Sequence, residues 1–551
     1  MLRYPKPGVK NMLTRQRQLN KRCITGIIIV SLILNIFTGC AANIGAKALT
    51  PGQVSNSTAD GEKALINSSG FPLSKEPVTL KMVGMKSTVL GDWNNMLVFK
   101  EYEKATNVKV TFDAIAEDTY RERLNIMLAS NELPDAFLKG NLEPMDVAEY
   151  SANESLIPME SLIDNYAPNI KNLINTYPEV KSSCYSADGH IYSLPVVATL
   201  DSARTEKHWI NKKWINKLGV KIPVTLDELK TVLRKFKYND MNGNKKFDEI
   251  PMTGTNIQQI IDNFTGAFGL QIQMGYYLNI DDGKVQIWLN SERYKQLLQY
   301  LADLYSEGLL DKDIFYSNYD IFYPKIRPDR VGVFHNQTDD IFSMYSDDFI
   351  GIAPWKGPFG DQIKNQRSIA RDFGAFAITS ANKYPEITMK WIDYFYGEEG
   401  SFFLRMGIEG ETYTKKTDGT YDYVNSIKNN KNGLAYAVGK FTIWPGMGAP
   451  HWINDNNSIG INSKNTQEAQ AALKDQLVQR VSNRPILDIK SEKRLNELKT
   501  DIDLFVTASR EKFIKGEFSF NQWDTYCKTL DKLGIKEMQE IYQMAYDLMD
   551  K

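Results

Sequence analysis

The chain has 551 residues, 42% hydrophobic and 24% charged, the composition of a globular protein too long for a single hydrophobic core. Its formal net charge is −1, but Arg3, Lys6, Lys10, Arg15, Arg17, Lys21 and Arg22 crowd the first 39 residues without one acid, which leaves 59 basic against 67 acidic residues downstream. A mildly acidic body excludes nucleic acid as a partner, since that affinity needs a basic footprint; the four cysteines, Cys23, Cys40, Cys184 and Cys527, exclude a disulfide scaffold.

The basic stretch Arg15 to Arg22 leads into an apolar run, Ile24 to Phe37, of about fourteen residues. Crossing a bilayer needs roughly 20, so the run has the proportions of a signal peptide. It ends in Phe37-Thr38-Gly39-Cys40, which resembles a bacterial lipobox with Phe where Leu is usual. The expectation is a leader over 1–39, lipid on Cys40, and attachment to the outer face of the cell membrane; an uncleaved signal anchor is the alternative. Residues 40–77, rich in Ala, Ser, Gly and Asn, read as a flexible tether.

The folded body opens with alternating apolar residues, Val78 to Met85, a strand pattern. A helix over about 94–105, a strand over Val108–Ile115, a helix stopped before Pro134 and a buried strand follow. This order predicts an α/β protein whose mixed sheets are flanked by helices, with ligand at the carboxyl ends of strands. Further on, Asp188 to Val197 reads as a turn and an extended run, and Asp372 to Thr379 as a strand. Trp209–Leu218, Tyr294–Leu304 and the whole of Glu497–Lys551 read as helical. Trp209, Trp214 and Trp391, at helical spacing, are expected in cores.

Two stretches carry candidate chemistry. In Asn239–Pro251, Asp240, Asn242 and Asn244 offer side-chain oxygens at places one, three and five of a tight loop, and Lys246 a backbone carbonyl at seven. Calcium takes 6–8 such hard oxygen ligands. Lys245 stands where such loops usually have Gly, and an ion-free Asn/Gly turn is the alternative. Elsewhere, rings suit the flat apolar faces of sugars. Trp444 and Trp452 flank a Gly/Pro-rich loop, Trp93 follows the first strand, Trp355 lies in "APWKGP" and His335 ends "VGVFH"; these are the candidate ligand contacts, with packing that anchors loops as the alternative.

The segments "LASNELPDAF" (Leu128 to Phe137), "LIPMESLIDNYAPNIKNLI" (Leu156 to Ile174), "GHIYSLPVV", "WINKKWINKLGVKIPVTLDEL" (Trp209 to Leu229) and "WIDYFYGEEGSFFLRMGIEGETY" (Trp391 to Tyr413) together resemble the ABC-transporter extracellular solute-binding lipoproteins of the LplA type. These are relatives of the alginate-oligosaccharide- and maltose-binding proteins. The resemblance implies a two-lobe, type II periplasmic-binding-protein-like fold with hinge crossings near Pro195 and Gly374. Lobe one would combine 78–197 with 372–440, and lobe two 198–371 with 441–551. It also implies a monomer that captures an oligosaccharide for a membrane ABC permease, and a calcium loop completed by Asp248 and Glu249.

Catalysis is not expected. The chain has no G-x-S-x-G, H-E-x-x-H or Walker loop, and its four histidines (190, 208, 335 and 451) show no ligand spacing. A secreted polysaccharide-active enzyme using two carboxylates and a sensory lipoprotein of the same fold stay open as alternatives.

Overall fold

The computed structural model describes residues 65–339, 345–417, 419–446, 448–458, 463–478, 481 and 483–549; the leader, Cys40 and most of the tether lie outside them. All described residues fall in one unit, Ser57–Lys551. The strands are β1 (Val78–Lys86), β2 (Val108–Ala116), β3 (Ala136–Leu142), β4 (Leu194–Ala198), β5 (Lys207–Asn211), β6 (Ile250–Met252), β7 (Leu278–Asp281), β8 (Lys284–Ile287), β9 (Val331–Asn336), β10 (Phe349–Ile352), β11 (Ala370–Ile378), β12 (Tyr413–Lys415), β13 (Tyr421–Tyr423) and β14 (Trp452–Ile453). They form a six-stranded sheet in the order β14-β4-β11-β3-β1-β2, a four-stranded sheet in the order β10-β5-β9-β6, and two hairpins.

In the larger sheet β1 runs parallel to β2 and β3, while β11 is antiparallel to β3 and β4. The helices Leu97–Thr106 and Glu117–Ser130 make the crossovers that parallel pairing requires. Residues Asn107 and Asn131, at φ 59° and 57°, end these helices in the left-handed region, where Asn is better tolerated than most side chains. The smaller sheet is covered by helices that include Leu226–Tyr238. Its start is written in the sequence: the Thr225 side chain accepts from Glu228 N at 3.2 Å while Glu228 reaches back to the backbone N–H of Thr225.

Two large cores result. One surrounds the six-stranded sheet and contains Leu80, Phe376, Trp391 and Val438; the other joins the smaller sheet to helices at Leu229, Phe264, Leu297, Ile502 and Phe513. The stretch 441–453, expected in lobe two, packs in the first core through Phe441, Ile443 and Ala449, and β14 pairs with β4. Two other expectations also need correction. Trp209 lies on β5, because "KHWIN" is buried throughout and Asn211 caps a helix that begins only at Lys212. The C-terminal region is three helices, Ile489–Lys515, Trp523–Lys532 and Ile535–Met549, broken after Lys515 by Gly516 at φ 77°.

Pro195 and Gly374 are not crossings but interior residues of β4 and β11. The chain passes between the two sheets a few residues away, over 199–206 and 353–369.

Candidate functional site: a polar chamber between the two cores

The passages between the sheets help to enclose one cavity of about 440 Å³. Arg204 and Glu206 come from the first passage, and Asn256 to Asn263 from the helix Ile257–Thr265. Lys364 to Ser368 come from the second passage, Ala370 to Phe373 from the start of β11, and Val481 and Asn483 from the segment before the last long helix. The helix at the wall is amphipathic for a local reason. Asn256 caps it by accepting from Gln259 N at 2.9 Å, Ile260, Ile261 and Phe264 enter the core, and Gln259, Asp262 and Asn263 are left at the chamber.

Charges of both signs line the wall: Arg204 pairs with Asp201 at 2.5 Å, while Glu206, Asp262, Lys364 and Arg371 make no ion pair among the described residues. The Glu206 carboxylate accepts from the amides of Gln259 at 3.2 Å and Asn263 at 2.7 Å. Lys364 donates to Asn263 Oδ1 at 2.6 Å, and burial lowers its pKa to about 8. Asp262 is bonded by the Gln258 amide at 2.6 Å, and burial raises its pKa to about 7. Arg371 donates to Ala203 O at 3.0 Å, while Arg367 is exposed and makes no ion pair among the described residues. Buried polar atoms on Arg204, Gln366, Ser368 and Arg371 have no partner among the described residues. Each such atom costs about 1–3 kcal/mol, so their concentration at one cavity marks groups held for a polar occupant. Two rings, Tyr319 and Phe373, add apolar faces.

Strained backbone gathers on the side of the larger sheet. Lys139, Asn141 and Asp372 have φ of 54°, 44° and 53°, although none is Gly. Buried Lys139 donates to the carbonyls of Ile443 and Pro445 at 3.1 and 3.0 Å, and the Asp372 carboxylate accepts from Gly448 N at 3.2 Å. These bonds tie Ile443, Pro445 and Gly448 to β3 and β11. Past Gly275, Phe373 and Asn483 the cleft continues into a second chamber of about 260 Å³, walled by Glu143 to Met145 and by the buried Arg484–Glu492 ion pair.

The tryptophans and the histidine expected as ligand contacts do not line this chamber. Trp93 is fully buried in the first core, its ring set against Gly84, where a Cβ would come within 2.9 Å of it. Trp355 is buried in the second core. His335 is buried too, and β5–β9 pairing sets its Nδ1 2.9 Å from that of His208. Desolvation drives both imidazoles far below their usual pKa, so they form a neutral buried pair. Sequence spacing holds no hint of this contact, because antiparallel register makes it. Trp444 and Trp452 are half-buried against the first core and neither lines the chamber. Each indole N–H is satisfied internally, by Arg405 O at 3.1 Å and by Thr199 Oγ1 at 2.9 Å. The guanidinium of Arg405 covers the Trp444 ring at 4.1 Å.

The loop 240–249 keeps its donors together. Asp240 Oδ1 accepts from the backbone of Gly243 at 2.6 Å and Asn244 at 3.1 Å, and its Oδ2 from Lys245 at 2.7 Å. Lys245 adopts φ 64°, as a Gly would at that place. The amides of Asn242 and Asn244 donate to Asp248 at 3.0–3.2 Å. Glu249 is buried, with Oε1 accepting from Met241 N and Asn242 N and Oε2 without a partner among the described residues. Among the described residues no three His, Cys, Asp or Glu side chains converge closely enough to hold a metal. The donor set is nonetheless all oxygen, which fits a hard cation, and rotating the two amides would turn their oxygens toward Asp248.

Several known proteins share this architecture. FusA of Streptococcus pneumoniae, a fructooligosaccharide ABC transporter substrate-binding protein, is 28% identical over 90% of this chain and 94% of its own. LipO of Bacillus subtilis, a lipoprotein, is 22% identical over 81% of this chain and 88% of its own. The crystal structure of FusA with kestose superposes with a TM-score of 0.71 at 26% identity, covering 86% of this chain and 99% of FusA; a variant of FusA altered in its EF-hand has also been solved. The alginate-binding protein AlgQ2, solved without calcium ion, gives 0.72 at 25% identity with the same coverage. The fold is thus the two-lobe periplasmic-binding-protein-like one, and the relatives bind solutes rather than transform them. With the family model for bacterial extracellular solute-binding proteins matching residues 88–401, the chain belongs to that family.

Proposed function

We propose that the chain is the lipid-anchored receptor of an ABC importer and captures an oligosaccharide in the chamber between its lobes. One lobe is the first core, with residues 78–198 and 370–453; the other is the second core, with 207–355 and 487–549. The observation that carries the reading is the chamber wall: Glu206, Asp262, Lys364, Arg367 and Arg371, without an ion pair among the described residues, interleaved with amides and two rings. Such a wall hydrogen-bonds many hydroxyls while the rings cover apolar sugar faces. The oligosaccharide-binding relatives support the ligand class. Because Arg371–Phe373 and Gln259–Asn263 belong to different lobes, ligand touching both favours closure over 199–206 and 353–369. The protein works as a monomer beside a membrane permease.

Cys40 carries the anchor, and acylation of Cys40 in the membrane-bound protein is the mass-spectrometric signature; an unmodified Cys40 there would remove it. Calcium sits in the 240–249 loop, held by Asp240, Asn242, Asn244, the Lys246 carbonyl, Asp248 and Glu249. It stiffens a connection of the second lobe and takes no part in ligand contact.

The deciding experiment is calorimetric titration of the mature chain against neutral and acidic oligosaccharides, with solution scattering of the same samples. The expected result is saturable binding of at least one glycan class with a smaller radius of gyration in the complex. Binding of peptides or amino acids, with no glycan bound, would overturn the reading.

A further inference from the structure

Among the described residues, exposed large apolar side chains are scattered thinly except in one stretch. Tyr316, Tyr319, Ile321 and Tyr323, all exposed, fall within residues 316–323. Single exposed apolar residues need no explanation, but a cluster at the rim of a binding site does.

The segment that carries them is pinned. Phe322 is fully buried against Trp209, Phe334 and Phe349, and Ile326 enters the same small core. Lys325 is buried and bonds Asp311 at 2.7 Å, and Asp311 also accepts from the Thr253 hydroxyl at 2.7 Å. Asn318 caps the short turn of helix by accepting from Ile321 N at 3.0 Å. The tyrosines therefore project from a fixed base.

Tyr319 lines the main chamber together with Glu206 and Arg367. Tyr323 lies next to it, ring centroids 5.3 Å apart and planes at 47°, outside the chamber lining and 40% exposed. The aromatic surface thus begins inside the cavity and continues out of it. The main chamber, at about 440 Å³, stands near the small end of ligand pockets, which run about 300–1,000 Å³. A glycan longer than the main chamber can extend into the second chamber past Gly275 and Phe373, or outward, where two adjacent rings mark a way out.

We propose that Tyr319 and Tyr323 form an outer carbohydrate platform, Tyr319 under the last sugar ring held in the chamber and Tyr323 under the next one outside, so that affinity rises with glycan length. The platform rests on the reading of the chamber as an oligosaccharide site, and commits to the outer units of that same glycan as its occupant. Tyrosine suits such a platform because its ring offers a flat apolar face with little side-chain entropy to lose.

The test is calorimetric titration of the mature chain with kestose and its five- and seven-unit homologues, alongside galacturonan and alginate oligosaccharides at matched lengths. For whichever class binds, the longer chains are expected to bind on the order of tenfold more tightly than the three-unit chain, the scale of one ring contact. Tyr323→Ala should abolish that gain and leave the three-unit affinity and the melting temperature unchanged, while Tyr319→Ala should weaken every length. Equal affinity for all lengths in the unaltered protein would overturn the platform while leaving the chamber reading intact. So would a Tyr323→Ala variant that keeps the length preference or loses all lengths equally. Failure of every glycan to bind would overturn the chamber reading, and the platform with it.

Discussion

The loop 240–249 and the chamber are both built from charged and amide side chains, yet they are opposite kinds of structure. The loop satisfies itself: Asp240 and Glu249 spend their oxygens on backbone N–H groups within ten residues, and of the loop's buried side-chain atoms only Glu249 Oε2 lacks a partner among the described residues. The chamber draws on segments more than 270 residues apart, from Arg204 to Asn483, and leaves Glu206, Asp262, Lys364, Arg367 and Arg371 without an ion pair among the described residues. A self-contained loop couples an ion to the folded state alone, so its ligand stabilises the protein by mass action. A chamber shared by two cores couples its ligand to their relative position, so occupancy reads out as shape. The same residue types thus do different work according to whether their partners are local.

The two roles can be separated by measurement. Chelator is expected to lower the melting temperature by several degrees, since a site filled at 100 times its Kd contributes about 2.7 kcal/mol. Asp240→Ala should melt low and ignore chelator, with glycan affinity unaltered. A melting curve indifferent to chelator in the unaltered protein would reduce the loop to an Asn/Gly turn. In the chamber the pattern should invert. Glu206→Ala should weaken glycan binding by roughly 1.5–3 kcal/mol, the scale of a hydrogen bond to a charged group, while the response to chelator stays whole. A variant that loses stability but keeps affinity would show that Glu206 only braces Gln259 and Asn263.

How much of this the sequence discloses follows the same division. The loop is legible because its donors are consecutive, and the order of strands 78–142 because alternation and helix stops are local signals. Even there Lys245 is the informative residue: its φ of 64° shows the turn formed without Gly. The chamber is not legible. Aromatic type draws attention to Trp93 and Trp355, but a large ring beside a Gly such as Gly84 packs inward as readily as it faces a ligand. The pairing of His208 with His335 and the placing of 441–453 in the first core come from register and packing that no spacing encodes. One usable signal does lie in the sequence: Asn256, Gln258, Gln259, Asp262 and Asn263 crowd the polar positions of a helix whose other positions are core. Amides in such density on one short helix mark a wall that bonds something beyond its own backbone.

The smallest expected effect concerns Asp262, and it tests whether the chamber wall is as dry as its bonding suggests. Burial raises this carboxyl from 3.8 to about 7, the Gln258 amide, Arg510 and Arg367 opposing the rise and Glu206 adding to it. An acid with a raised pKa in the native state keeps its proton where the unfolded chain has already lost it. Its contribution to stability is therefore greatest below about pH 4, declines as pH climbs toward 7, and levels off above that. Asp262→Asn keeps the shape and the bond to Gln258 but has no proton to lose. The variant and the unaltered protein should melt together near pH 4, and the variant should melt higher by pH 8. The gap is expected to be modest, since the chamber admits water that screens the charge. Parallel melting curves from pH 4 to 8 would mean that Asp262 ionises freely, and the wall would then present a full negative charge to its ligand at neutral pH.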